Sequence, residues 1–168
     1  MSYNFRPAVV ADVQAIWEIL RKAIIRRRNE GSQQWQDGYP NQAVIETDIQ
    51  KNAAYVLCAG AQIVGYSAVL INDEPAYQNI EGAWLTSADF MVIHRVAIAE
   101  TELGKGLAGL IFSFVEQLAL AHNIHSIRVD TNFDNAAMLR VLEKAGYSFC
   151  GQVYLRGNPR KAFEKKLD

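Results

Sequence analysis

Ile93-His94-Arg95-Val96-Ala97-Ile98, five connecting residues, then Gly104-Lys105-Gly106-Leu107-Ala108-Gly109: the reading of this stretch decides the fold. The first segment is β-rich. After the glycines, Leu107, Leu110, Ile111, Phe114 and Leu118 recur at helical spacing. A glycine-rich loop that opens a helix leaves backbone N–H groups without partners, and the helix dipole adds partial positive charge there. The stretch therefore predicts a cradle for a phosphate-bearing ligand.

Two ligand classes compete for that cradle. Gly104, Gly106 and Gly109 satisfy G-x-G-x-x-G, and the next strand, Ser126–Asp130, ends in an acid placed as a ribose-binding residue would be. A nicotinamide-dependent oxidoreductase is thus one reading. Three features count against it. A dinucleotide turn follows its strand almost at once, whereas Ala99 to Leu103 intervene here. The motif follows a predicted β-hairpin rather than opening a βαβ series. Too little chain remains after it to complete a doubly wound sheet. No Gly-Lys-Ser/Thr closes the motif, so a P-loop is excluded.

Composition narrows the class. The 168 residues are 50% hydrophobic and 21% charged, which suits one globular domain over residues 1–168 with a sizeable core. A net charge of −1 gives no reason to expect nucleic acid as a partner. Arg26-Arg27-Arg28 reads as a solvated helix end complementing the dipole. Cys58 and Cys150 stand apart in apolar segments and read as buried structural thiols. The histidines and cysteines lack metal-ligand spacing, so no metal is expected. No signal-peptide pattern or membrane-spanning run is read, which predicts a cytoplasmic protein without a membrane partner.

Hydrophobic periodicity gives the order β-α-α-β-β-β-α-β-α-β-β, a mixed α+β sheet flanked by helices. A strand is predicted over Phe5–Val10. A helix capped by Asp12 and ended by Gly31 follows, then a polar-aromatic loop from Ser32 to Asn41 and a short helix. A hairpin turns at Gly60. Asn72 to Gly82 reads as loop, Ala88–Ile98 as strand. A helix stops at Gly146, and the last hairpin is predicted to turn at Gly157-Asn158-Pro159.

Two motifs in this order resemble the GNAT N-acetyltransferase superfamily. The family's acyl-CoA loop has the form Gln/Arg-x-x-Gly-x-Gly/Ala; Gly106 and Ala108 match it, and Leu103 occupies the Gln/Arg place. Downstream, Asn135 and the run Leu139-Arg140-Val141-Leu142-Glu143-Lys144-Ala145-Gly146-Tyr147 resemble the family's Asn…Leu-Tyr-Glu-Lys-x-Gly-Phe segment. The resemblance covers nearly the whole chain. It implies a GNAT acyl-CoA fold, mostly antiparallel and splayed at the central strand, with acetyl-CoA as cosubstrate and an amine as acceptor. It implies that Val96, Ala97 and Ile98 face the pantetheine arm, that Leu103, Gly104, Lys105, Gly106, Leu107 and Ala108 hold the pyrophosphate, and that Asn135 lies on the pantetheine or adenosine side. Each has a plainer reading: Val96 and Ile98 as core, Asn135 as a helix cap.

Direct attack by an amine on a thioester requires a base, because an alkyl ammonium is not nucleophilic. His94 is the favoured base, since an imidazole ordinarily titrates near ~6.5; a core histidine is the alternative. Asp89 and Asp130 are weaker candidates. Alternation places Arg95 on the opposite face from His94, either for a substrate carboxylate or for a buried ion pair. Many family members carry a Tyr as general acid where this chain has Leu142. Tyr147 and Tyr154 are the candidates to replace it, Tyr154 being carried forward with His94, unless both simply pack. Trp35 and Tyr39 suggest an aromatic acceptor wall with Gln34 and Asp37, or anchors for their loop. Trp84 and Tyr77 carry the same two readings. The expected partner is a small-molecule amine or an aminoacyl or peptide acceptor, the protein being a monomer or homodimer. The rival in another class is a non-catalytic acyl-CoA-binding module, which Leu142 keeps open.

Overall fold

The computed structural model describes residues 1–168. It contains β1 (Tyr3–Pro7), α1 (Val13–Asn29), α2 (Gln42–Gln50), β2 (Ala54–Ala59), β3 (Gln62–Ile71), β4 (Glu81–Gly82), β5 (Met91–Ile98), α3 (Leu107–Ala121), β6 (Ser126–Thr131), α4 (Ala136–Lys144), β7 (Ser148–Leu155) and β8 (Asn158–Lys166). The eight strands form one sheet in the order β1-β2-β3-β5-β6-β8-β7-β4. Antiparallel pairing joins β1–β2, β2–β3, β6–β8, β7–β8 and β4–β7. The β5–β6 pair is parallel, which is why α3 must carry the chain back between them. Its register stops at Ile93↔Val129, although β6 continues to Thr131 against β8. No helix is long and apolar enough to cross a membrane.

The chain divides into two compact units. The first comprises Met1–Val69 and Arg95–Ile111. Its core sets Ile16, Leu20 and Ala23 of α1 with Ile45 of α2, Val56 of β2 and Tyr66 of β3. Those α1 residues recur at i, i+4 and i+7, so one face of the helix is buried. The second comprises Leu70–His94 and Phe112–Asp168. Phe112, Val115, Ile127, Leu142, Val153 and Ala162 are fully buried there. Its α4 ends in a Schellman motif: Tyr147 N–H donates to Leu142 O (3.0 Å) and Gly146 N–H to Glu143 O (3.2 Å), with Gly146 at φ 83.

Several predicted boundaries move. The first strand is Tyr3–Pro7, because Val10 already starts a 3-10 turn into α1. Asp12 does not cap α1 with its side chain. Its carboxylate instead accepts from Val9 N–H (2.9 Å) and from Arg6 Nη1 (2.8 Å). The segment read as loop before Gly82 contains a 3-10 turn, Pro75–Asn79, and β4. That two-residue strand depends on close backbone approach: a Cβ on Gly82 would lie 2.2 Å from Cys150 O. The last hairpin turns at Arg156-Gly157, with φ of 48 and 76. Two positive φ values match the right-handed twist of the flanking strands. Pro159 is therefore the second residue of β8, tolerated because pairing with β6 starts only at Lys161.

Two surface readings change as well. Arg27 is half-buried, its guanidinium 4.0 Å from the Trp35 ring centroid, so the basic run is not simply solvated. Cys58 is buried and Cys150 half-buried; both are free thiols.

Candidate active site

The glycine loop belongs to the first unit. Leu103 to Gly106 are exposed, and α3 begins at Leu107. Gly104 and Gly106 have φ of 79 and 74, values that only glycine adopts without strain. A Cβ at either would meet nothing within 4 Å, so the space beside the loop is open. Leu110 N–H donates to Gly106 O at 3.1 Å, so the turn runs directly into α3. Open space beside Gly104 and Gly106 at a helix start is the setting in which backbone N–H groups hold an anion. Lys105 Nζ pairs with Glu102 Oε2 at 2.8 Å. Leu103 is 43% exposed, so this apolar side chain stands at the surface in the family's Gln/Arg place.

The side chains of Val96, Ala97 and Ile98 are buried, and only their backbone is available to a ligand. Asn135 caps α4, its Oδ1 accepting from Met138 N–H at 3.2 Å. Arg95 has φ 56, which breaks the alternation used to place it opposite His94. Its guanidinium makes a bidentate pair with buried Asp48, Nε to Oδ2 at 2.9 Å and Nη2 to Oδ1 at 2.6 Å. It also donates to the Tyr39 hydroxyl, and Tyr66 donates to the same Asp48. The buried ion pair is thus the observed role of Arg95, and Tyr39 is tied to it. Trp35 is buried in the first unit's core and forms no exposed wall.

The second unit gathers the titratable groups around His94. His94 Nε2 lies 2.8 Å from Glu74 Oε2, and Nδ1 lies 3.6 Å from Asp130 Oδ2. A carboxylate only accepts, so Glu74 holds the proton on Nε2 and leaves the lone pair of the neutral ring on Nδ1. Glu74 is itself fixed: its Oε1 accepts from Ala76 N–H at 3.2 Å, the first bond of the turn that Pro75 initiates. The register carries His94 to the level of Asp130, since Ile93 pairs with Val129. Tyr77 donates its hydroxyl to Asp130 Oδ2 at 2.6 Å. Burial first, then the Asp130 charge, pushes the Tyr77 phenol well above its usual range, so it holds its proton. Arg160 Nη1 lies 3.8 Å from Asp130 Oδ1.

Beside this cluster opens a cleft of about 450 Å³, lined among others by Asn72, Glu74, Tyr77, Trp84, Phe90 and Arg128. Trp84 Nε1 donates to Tyr77 O at 2.8 Å, and the two rings are 5.0 Å apart. Trp84 therefore lines the cleft. Asp89 is engaged away from His94, accepting from Asn72 Nδ2 at 3.0 Å.

Tyr154 is not brought to His94. It is exposed on β7, bonded to Gln152 Nε2 (2.6 Å) and Glu81 Oε2 (3.3 Å), with β8 and β6 between its strand and β5. Two strands put it more than ~10 Å away laterally. Tyr147 is buried edge-on to Phe112 with no partner for its hydroxyl, and burial pushes its phenol far upward. Leu142 is fully buried. Sequence reasoning missed Glu74 and Arg128. A glutamate before a proline in a polar loop carries no signal of an imidazole partner twenty residues on.

The Acetyltransferase (GNAT) family profile matches residues 14–147. No curated protein sequence matches the chain. A GNAT family acetyltransferase from Streptococcus agalactiae is 34% identical, covers 99% of this chain and 96% of its own, and superposes with a TM-score of 0.89. A GNAT family acetyltransferase from Listeria monocytogenes shares 20% identity over 98% of this chain and 95% of its own, at a TM-score of 0.79. The Salmonella typhimurium protein yncA, solved with its cofactor acetyl-CoA, shares the fold at 17% identity and a TM-score of 0.71, over 100% of this chain and 95% of its own. With a profile match across most of its length and this fold, the chain belongs to the GNAT acetyltransferase family.

Proposed function

We propose that the protein is an acetyl-CoA-dependent N-acetyltransferase that acetylates the amine of a small molecule. The observation that carries this is an imidazole braced by Glu74 beside a cleft in the second unit; the open glycine turn of the first unit, taken by itself, suits the cosubstrate. The cradle fits a pyrophosphate, having positive-φ glycines, unfilled Cβ positions and the start of a 15-residue helix. Acetyl-CoA, when bound, supplies the thioester. Backbone groups of Val96 and Ile98, beyond the last registered β5–β6 pair, suit an extended arm.

The chain's own residues manage the proton. The acceptor arrives as an ammonium and must lose a proton before it can attack. His94 takes that proton on Nδ1, because Glu74 keeps Nε2 protonated and fixes the ring. The resulting imidazolium is stabilised by Glu74 and Asp130, on opposite sides of the ring. The nitrogen sheds two protons in all, one to His94 before attack and one as the tetrahedral intermediate collapses; the departing thiolate takes up one and the other leaves to solvent. No tyrosine is required at Leu142, because a thiolate of ordinary pKa near ~8.5 is a fair leaving group.

One observation favours a second reading. Leu142 is fully buried and cannot donate a proton, which suits a non-catalytic acyl-CoA-binding module. Free-thiol release from acetyl-CoA with a panel of amines separates the two. Turnover supports the enzyme; CoA binding without thiol release with any amine supports the module. Tight NAD binding without CoA binding would overturn both.

A further inference from the structure

From the cleft we infer the class of acceptor: an amine that also carries an acidic oxyanion group, with that group held by Arg128. The inference rests on the proposal that His94 is the base. Arg128 is a buried guanidinium, 6% exposed, that the cleft reaches. Two aromatic rings pack against the guanidinium, its Cζ lying 4.4 Å from the Trp84 centroid and 4.0 Å from that of Phe90. Its edge is largely unused. Of five N–H donors, only Nη2 makes a hydrogen bond, to Thr86 O at 2.7 Å. Nε is buried without a hydrogen-bond partner, 3.5 Å from Glu164 Oε1. Nη1 has no partner and is not shut off from solvent.

Glu164 does not use up this charge. Its carboxylate accepts from Ser126 Oγ (2.6 Å), Thr86 Oγ1 (2.5 Å) and Leu85 N–H (2.5 Å). A guanidinium held against two aromatic rings, with donors left over, is preorganised for a carboxylate or phosphate. Buried donors without acceptors are costly, so an arriving anion would recover what the fold leaves unsatisfied.

The sheet sets the spacing. Arg128 and Asp130 are i and i+2 on β6, so they share one face and stand ~7 Å apart. Val92 pairs with Arg128, which puts His94 level with Asp130. The anion holder and the base thus lie one pleat repeat apart on the same face. Tyr77 and Trp84 line the cleft; Trp84 touches both Tyr77 and Arg128, and the Tyr77 ring lies 6.1 Å from that of His94. A small amino acid or aminoalkyl phosphate spans such a distance; a simple monoamine reaches His94 with nothing to place at Arg128.

The test uses the whole protein saturated with CoA. Calorimetric titration compares amino acids with their amides and their decarboxylated amines, and thiol release from acetyl-CoA is followed for the same set. The acidic members are expected to bind about 10- to 100-fold more tightly, the range of a charge-assisted contact. Arg128→Gln should erase that preference, raising KM for the acidic amine while sparing kcat. Arg128→Lys keeps the charge and the fold but loses the planar edge, and should retain part of it. Equal binding and turnover across the wild-type set would overturn the inference while leaving the N-acetyltransferase reading intact. Tight binding of acidic amines without thiol release would instead sink His94 as base and keep Arg128 as the anion site.

Discussion

The glycine loop and the His94 cluster are built in opposite ways. The loop is a run of consecutive residues whose working groups are backbone N–H donors, exposed and ready without side-chain partners. The cluster draws Glu74, Tyr77, His94 and Asp130 from a 3-10 turn and two strands, and its working groups are half-buried or buried side chains that hold one another. A backbone site tolerates changes of side chain, as Leu103 in the family's Gln/Arg place illustrates. A side-chain site fails when one partner is lost. Under the proposed function, CoA recognition is thus the robust part of the molecule and proton transfer the fragile one.

The sharpest way to break the comparison is Gly106→Glu. It forces a side chain into φ 74 and adds negative charge to the cradle. CoA binding should be lost by calorimetry, and undiminished affinity would show that the pyrophosphate sits elsewhere. His94→Ala should lower kcat by about 10²-fold and leave CoA affinity unchanged, since proton transfer is worth that much. If turnover and its acid limb survive, His94 is only packing.

A smaller effect is expected for Glu74→Gln, which keeps the shape but lets the amide present either donor or acceptor to Nε2. A kcat loss of about tenfold, with a shifted pH–rate profile and little change in KM, would mark Glu74 as a positioning residue. An unmoved profile would separate Glu74 from His94.

The smallest effect concerns stability and pH in the second unit. Burial raises the Glu164 carboxyl, but hydrogen bonds from Ser126, Thr86 and Leu85, with the Arg128 charge, outweigh it and hold the pKa below the usual carboxylate range. A folded pKa below the unfolded one adds stability at neutral pH, which is lost as pH falls through the folded value. The stability gap between wild type and Glu164→Gln, read by denaturant titration, should therefore shrink as pH drops below ~4.3, the ordinary glutamate value. A pH-independent gap would show that the carboxylate's charge contributes nothing to holding Arg128.

Legibility followed the same division. Most elements were readable because period-2 and helical patterns mark buried faces locally. The errors fell where distant backbone decides: β4 exists only because Gly82 and Gly151 allow close approach, and the final turn shifted to Arg156 because strand twist selects two positive φ values. Trp35 and Trp84 looked alike in sequence, each an aromatic in a polar loop. One is buried under Arg27 in a core; the other stands on a cleft against Tyr77. Nothing in the flanking residues distinguishes them, because what they pack against lies elsewhere in the chain.

The sequence by itself determined the family, the order of elements and the place of the glycine turn that opens α3. Each rests on neighbouring residues: glycines that alone adopt positive φ, and apolar periods that set which face is buried. Only the tertiary structure decided which carboxylates meet His94, that Arg95 is spent on Asp48, that Tyr154 stands two strands away and that Arg128 keeps donors to spare. Those facts come from strand register and from contacts across 20 to 56 positions, between residues whose local sequence holds no record of the partner.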